Sequence, residues 1–276
     1  MAIPAAPLFA ALLLAAPITG FVQQGDLLSA VSRARQQCAG HVTALRPDSR
    51  LHEAARRLSQ GMPLEGALQA AGYRAQRSFQ WSFRGYRSPQ AVAQALVSGP
   101  CRSLGDRELR ELGLHASGDS YWIIAAVPFD PPQAARGGDV ALRVLALVNQ
   151  ARSQPRRCGG ESLQAAPPLA LNAQLTQAAA THAQSMARFG YLEHEGRDGS
   201  TPADRTSRAG YRWRSVGENV AMGQTTAEKV MQGWLRSPEH CANIMEPRFT
   251  EMGVAFAVNN SSEGGIYWAQ IFALPR

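Results

Sequence analysis

His194, Glu218 and His240 are the side chains of this sequence whose chemistry could act in concert. His194 closes the run Gly190-Tyr-Leu-Glu-His194, Glu218 sits in Gly217-Glu-Asn-Val-Ala221, and His240 ends Ser237-Pro-Glu-His240. Neutral imidazoles ligate Zn²⁺ at ~2.0–2.1 Å, and two of them without a third strong ligand leave positions for water or substrate. A neighbouring carboxylate would orient that water or take its proton, so metal-assisted hydrolysis is one chemistry open to this trio. The other option is binding without turnover, in which His194, Glu218, Asn219 and His240 tie three loops together around a cleft. Rival candidates are weaker. His182 reads as a surface or packing residue of a helix, and Ser237, although close to His240, lacks the Gly-rich nucleophile turn of a Ser-His hydrolase. Asn260-Ser-Ser262 fits the N-glycosylation pattern but reads as polarity at a hairpin tip.

The elements that must position these residues are visible as patterns. Val140, Val144, Leu147 and Val148 recur at helical spacing and predict an amphipathic helix over 140–153. Asn172 is a good cap for a second helix with Leu175, Ala179, Ala183 and Met186 on one face, ending at Gly190. After an irregular stretch, Thr225-x-x-Glu228 reads as a capping box opening a third helix that stops by Pro238. Residues 252–258 and 266–274 are β-rich runs separated by a polar, Gly-containing turn. Helices laid on a hairpin-built antiparallel sheet predict an α+β domain.

The pattern occurs twice. Val31-Ser-Arg-Ala-Arg35 matches Val148-Asn-Gln-Ala-Arg152, each followed by Cys-x-Gly at Cys38 and Cys158. Leu51, Ala54 and Met62 match Leu175, Ala178 and Met186; Ala71-Gly-Tyr-Arg74 matches Ala209-Gly-Tyr-Arg212; Cys101 matches Cys241. Leu112-Gly113 then matches Met252-Gly253, and Tyr121-Trp122 matches Tyr267-Trp268. Ordered matches with growing offsets predict two homologous halves, 24–128 and 139–276, joined by a Pro- and Gly-rich linker at 129–138. Four cysteines allow three pairings, and only Cys38–Cys101 with Cys158–Cys241 joins equivalent residues in each half.

Residues 8–16, LFAALLLAA, form an apolar core too short to span a bilayer but suited to a leader, so 1–20 is expected to be a signal peptide. Export agrees with disulfides, which persist in oxidising compartments, and places the mature protein in the periplasm or outside the cell. No other run reaches membrane-spanning length. With 45% apolar and 18% charged residues the chain should fold. Its net charge of +7 is spread evenly rather than gathered in a stripe, which argues against nucleic acid as partner.

On the Tyr-Leu-Glu-His194 loop, Gly217-Glu-Asn-Val-Ala221, Trp234-Leu-Arg-Ser-Pro-Glu-His240 and Phe249-Thr-Glu-Met-Gly253, the second half resembles the CAP superfamily of cysteine-rich secretory, antigen 5 and pathogenesis-related 1 proteins, in its short bacterial secreted form. The resemblance implies an α-β-α three-layer sandwich with a central cleft, and, by the repeat, two such CAP-like domains. In that family the cleft holds two histidines and two acidic residues, and some members bind a divalent metal, Zn or Mg here, through the histidines. His194, Glu218 and His240 take three of these places, while Ser237 stands where the second acid would be. Relatives bind sterols, lipids or protein partners, so the ligand is expected to be a lipid, a sterol or an envelope component. The missing acid favours ligand binding over catalysis; a metal-dependent hydrolase using His194, His240 and Glu218, and an arginine-rich envelope or polysaccharide adhesion module, are the alternatives. In the first half the stretch that would hold His194 is missing, Gln80 stands at the place of Glu218, and the chain is shortened where His240 would lie.

Overall fold

The computed structural model describes residues 19–276, so the expected leader at 1–20 lies outside the described residues but for its last two. The chain divides into two compact units, one ending at Phe129 and the other running Asp130–Arg276.

In chain order the first unit consists of α1 (Thr19–Ala39), β1 (Arg46–Pro47), α2 (Ser49–Ser59), α3 (Leu64–Ala70), β2 (Ala75–Phe83), α4 (Pro89–Ser98), α5 (Cys101–Leu104), β3 (Glu111–Ser117) and β4 (Ser120–Pro128). Its sheet runs β1-β3-β4-β2, with β1 parallel to β3 and the other pairs antiparallel. Alternate residues of β4 face opposite ways. Trp122, Ile124 and Ala126 join Leu51, Ala54 and Ala67 of α2 and α3, whereas Tyr121, Ile123, Ala125 and Val127 join Leu27, Val31, Val92 and Leu96 of α1 and α4.

The second unit consists of α6 (Gly137–Arg152), β5 (Arg156–Cys158), β6 (Glu161–Leu163), β7 (Ala170–Leu171), α7 (Ala173–Phe189), α8 (Pro202–Arg208), β8 (Trp213–Met222), α9 (Ala227–Arg236), α10 (Pro238–Met245), β9 (Glu251–Val258) and β10 (Ile266–Pro275). Its main sheet runs β7-β9-β10-β8 with the same senses, β7 parallel to β9 and the rest antiparallel. Tyr267, Ala269, Ile271 and Ala273 of β10 pack under α7, so mixed helices cover a sheet as the α+β reading expects.

Local contacts correspond between the units. Asp48 caps α2 and Asn172 caps α7, each accepting from two backbone N–H groups of the first turn. Gly113 lies so close to α2 that a Cβ would come within 2.2 Å of the Leu51 carbonyl carbon, and a Cβ at Gly253 would come within 2.1 Å of Thr176 N at the start of α7. The hydroxyl of Tyr73 donates to Glu111 and that of Tyr211 to Glu251. Disulfides Cys38–Cys101 and Cys158–Cys241 close each unit, as the pairing argument expects, each worth on the order of 4 kcal/mol by restricting the unfolded chain.

Four local expectations change. Gly113 faces Ile124 and Gly253 faces Ile271, so the strand register sets Tyr121 against Trp268, one residue from the Tyr-Trp match read in sequence. The supposed linker is ordered earlier: a 3₁₀ turn at Ala134–Arg136 feeds α6, whose first turn contains the glycine pair expected to end order. There Asp139 suits the positive helix start and pairs with Arg136 at 3.5 Å. The cap of α9 is Thr226 and not Thr225, which is buried; Thr226 Oγ1 accepts from Lys229 N. Finally, the irregular stretch contains α8, whose capping box is Thr201 with Asp204.

Candidate functional site

The cleft residues lie about β8, an edge strand of the second sheet. Successive residues of a strand point to opposite faces, so Glu218 and Asn219, though adjacent, serve different layers. Glu218 is opposite Ile271, on the face covered by α7; Asn219 is opposite Gln270, on the face that meets α10.

On the α7 side the chain leaves the helix at Gly190, whose left-handed backbone (φ 67°) ends the helix and starts the loop carrying His194. Three buried side chains fasten that loop. Arg205 of α8 donates to the carbonyls of Ser200 (2.7 Å) and His194 (2.9 Å), and to Glu218 Oε2 at 2.8 Å. His182 of α7 bonds through Nε2 to the Glu193 carbonyl at 2.8 Å and lies 3.9 Å from Glu218 Oε1. Glu218 itself, with a side chain only 1% exposed, accepts from His194 Nδ1 at 2.9 Å. A buried carboxylate is costly unless paired, and here one oxygen takes an imidazole and the other a guanidinium.

On the other face Asn219 is fully buried and donates to the His240 carbonyl and to Gln270 Oε1, both at 3.2 Å. Asn243 of α10 donates to Asn219 Oδ1 (3.0 Å) and to the Glu218 carbonyl (3.1 Å). The Cys158–Cys241 disulfide fixes the residue next to His240. Ser237 is the joint between α9 and α10: its N–H donates to Trp234 and its carbonyl accepts from Cys241.

The two cleft imidazoles are driven apart electrostatically. The Glu218 hydrogen bond raises the pKa of His194, outweighing its partial burial. Burial lowers that of His240, and the neighbouring His194 charge adds to the effect. The exposed Glu239 carboxylate pulls upward on both. An acid therefore acts on the cleft from two positions beyond Ser237.

Because Glu218 binds His194 at Nδ1, Nε2 is the nitrogen left for a ligand or metal. With both carboxylate oxygens engaged, Glu218 fits an orienting role and not that of a ligand. Among the described residues no group of three or more His, Cys, Asp or Glu gathers to hold an ion. The donor set fits an open position held by two imidazoles, not a closed four-ligand zinc site.

Sequence reasoning brought out His194 and Glu218, whose side chains bond to each other, and Asn219, which reaches the backbone carbonyl of His240. It missed Arg205 and placed His182 no further than a surface or packing role, although the latter is fully buried beneath the site. The available signal for Arg205 was the Thr201-Pro-Ala-Asp204 helix start, which sets it on the first turns of a short helix.

Residues 145–272 match the family model described as CAP, the cysteine-rich secretory protein family. An uncharacterized protein of Bacillus subtilis, YkwD, is 33% identical over 105 residues, which is 38% of this chain and 39% of that relative. The chain thus spans about two fifths of the relative's length. Among solved structures, the crystal structure of Na-ASP-1 shares the fold with a TM-score of 0.57 at 13% identity, over 93% of this chain and 90% of its own. An extracellular SCP-domain protein of Bacillus anthracis gives a TM-score of 0.44 at 20% identity, over 59% of this chain and 56% of its own. Residues 145–272, with His194, Glu218 and His240 inside them, are thus similar to the cysteine-rich secretory protein (CAP) family.

Proposed function

We propose that the second unit is an exported binding domain whose cleft, about His194, Asn219, Ser237 and His240, takes a lipid, sterol or envelope component without conventional turnover. The engagement of Glu218 carries this reading. A general base needs a lone pair within reach of the proton it removes, yet both Glu218 oxygens are committed to His194 and Arg205 in a side chain shut off from solvent. Freeing one would leave a buried guanidinium or an unanchored loop. His194 Nε2 and His240 would hold a divalent metal weakly, Zn²⁺ being better suited to imidazole than Mg²⁺. Bound there, it would polarise a carbonyl or water of the ligand.

The two disulfides and the apolar run at 8–16 support export. The matching strand order, glycine contacts and Tyr–Glu pairs support the first unit as a copy of the same domain that has lost the site and serves packing or partner binding.

Metal content and affinity, measured for the wild type and for His194→Ala with His240→Ala, test the reading together with a peptide and ester turnover screen with and without chelator. Weak metal binding that vanishes in the double variant, with no chelator-sensitive turnover, is expected. Stoichiometric metal with chelator-sensitive turnover would establish the hydrolase instead, and metal retained by the double variant would show that His194 and His240 are not its ligands.

A further inference from the structure

The sheet of the first unit has an open edge. β2 (Ala75–Phe83) ends the order β1-β3-β4-β2, so it is paired with β4 on one side, and among the described residues no strand pairs with the other. Alternate N–H and C=O groups therefore point outward, a template for a further strand unless charge, proline or a bulge blunts it. The register shift of β2 lies at its start, between Ala75 and Arg77, and Arg77, its one charged residue, is neutralised by Asp106 (2.6 Å) and Glu108 (2.7 Å). From Arg77 to Phe83 the pairing with β4 is regular. Phe79, Trp81 and Phe83 lie half-buried on the face toward α1 and α4, with the Phe79 and Trp81 rings stacked at 6.1 Å. Ser78, Gln80 and Ser82 take the opposite face.

The run Ser78-Phe-Gln-Trp-Ser82 has the same residue classes in both directions, with Gln80 at its centre. An isologous contact requires such a pattern, because a two-fold axis sets a strand against itself in reverse order. With the axis at Gln80, antiparallel pairing of two β2 strands puts Phe79 of one copy opposite Trp81 of the other, twice, and Ser78 opposite Ser82. Aromatic pairs set opposite one another stabilise neighbouring strands. The charges allow this register: Arg77 meets Phe83, and Arg84, which has no side-chain partner among the described residues, meets Gln76. Sliding it by one residue in either direction sets every ring against Ser or Gln, and in one direction sets Arg77 against Arg84. We propose that the β2 edge is a self-association surface, at which two copies of this chain join their first-unit sheets, antiparallel and centred on Gln80. This self-association rests on the reading of the first unit as a partner-binding copy.

A single strand from each copy makes a small interface beside the ~20–30 residues a side of a standard one, so a dissociation constant in the micromolar range or above is expected. Sedimentation equilibrium of the full chain from micromolar to millimolar concentration should show monomer and dimer. Gln80 is exposed, so changing it spares the fold. Because it faces itself across the axis, Gln80→Lys and Gln80→Glu should each weaken the dimer by about tenfold or more, through like charges set opposite one another. An equimolar mixture of the two should dimerise at least as tightly as the wild type. On oxidation Gln80→Cys should form a disulfide-linked dimer and Ser82→Cys should not, since only residue 80 meets its own counterpart. A chain that stays monomeric throughout, self-association retained by both charged variants, or a mixture that fails to restore what each variant loses would overturn the proposal. A monomer whose β2 amides are shifted in NMR spectra by an added Val-Thr repeat peptide would assign the edge to a different protein and overturn it too. The reading of the first unit as a copy without the site rests on strand order and glycine contacts and is untouched by these outcomes. Zn²⁺ added to the same samples reads the His194–His240 cleft independently.

Discussion

Three positions about the candidate site set the two units apart. Where the second unit has His182, Arg205 and Glu218, the positions of the first that the sequence match sets against them, at offsets of 124, 138 and 138, are Leu58, Ala67 and Gln80. The first set is a buried polar cluster; in the second set Ala67 is buried in an apolar core, Leu58 packs on its edge and Gln80 is exposed. The loop explains the difference. His182 and Arg205 bond to carbonyls of Glu193, His194 and Ser200, which exist only where the loop does. Without those carbonyls a buried imidazole and guanidinium are costly, and small apolar residues become the stable choice. The polar cluster is therefore the internal half of a loop anchor, and the loop carrying His194 is what it holds in place.

The largest effect should follow from breaking that anchor. Arg205→Ala leaves the Glu218 carboxylate buried with one oxygen unpaired and should destabilise the second unit by about 3–5 kcal/mol, the usual cost of removing one member of a buried pair. Gln80→Ala in the first unit should fall within about 0.5 kcal/mol, as an exposed substitution does. Chemical denaturation followed by hydrogen exchange in each unit reads both, and a cost below about 1 kcal/mol for Arg205→Ala would mean that the cluster is not an anchor.

The paired arginines sharpen the comparison. Arg152 is fully buried and donates to the carbonyls of Pro167, Ile244, Glu246 and Phe249. Its counterpart Arg35, also buried, donates to Leu104, while its Nε and Nη2 have no partner. Arg152→Met should cost about 2–4 kcal/mol, because several buried carbonyls lose their donor. Arg35→Met should be close to neutral or stabilising, since it removes a desolvated charge that is poorly satisfied. Equal losses in thermal melts of the two variants would show that the first unit satisfies its arginine as well as the second does.

A feature common to both units should behave alike. Gly113→Ala and Gly253→Ala each drive a methyl into the first turn of the facing helix, and each should destabilise its own unit by about 1–3 kcal/mol or more through overpacking. A large cost in one and none in the other would mean that the sheets are held against their helices by different contacts.

Much of this was legible in sequence, for identifiable reasons. Asn172, the apolar face from Leu175 to Met186 and Gly190 announce α7 because capping, periodicity and a left-handed glycine are local signals. The cysteine pairs follow from the repeat. The α8 helix was not legible as a helix, since seven residues are too few to show a period, and Arg205 was read past because a surface arginine and a buried one look alike until their acceptors are known. The Tyr-Trp match slipped by one residue because strand identity is set by register, fixed here by the glycine approaching the helix, and not by the most similar side chains.

The smallest expected difference is in pH dependence. His182 is shut off from solvent and its pKa is lowered chiefly by burial, with Arg205 adding to the shift and the Glu218 carboxylate opposing it. Below the unfolded value of about 6.5 the unfolded chain takes up a proton that the folded chain resists, so stability present above that value is lost as pH falls through the folded one. Burial pushes His240 the same way, and in the first unit His115 too. His194 has the opposite sign: its raised pKa gives stability that is complete below the unfolded value and is lost as pH rises through the folded one. Between about pH 5.5 and 8, where histidines titrate, the second unit should therefore lose stability on both sides of an optimum, and in the first unit His115 acts on the acid side. His194→Ala should flatten the alkaline limb of the second unit and leave its acid limb. Urea midpoints resolved by unit across that range decide it: an alkaline limb that survives in His194→Ala would assign it to another group and detach the Glu218–His194 bond from the stability of the cleft.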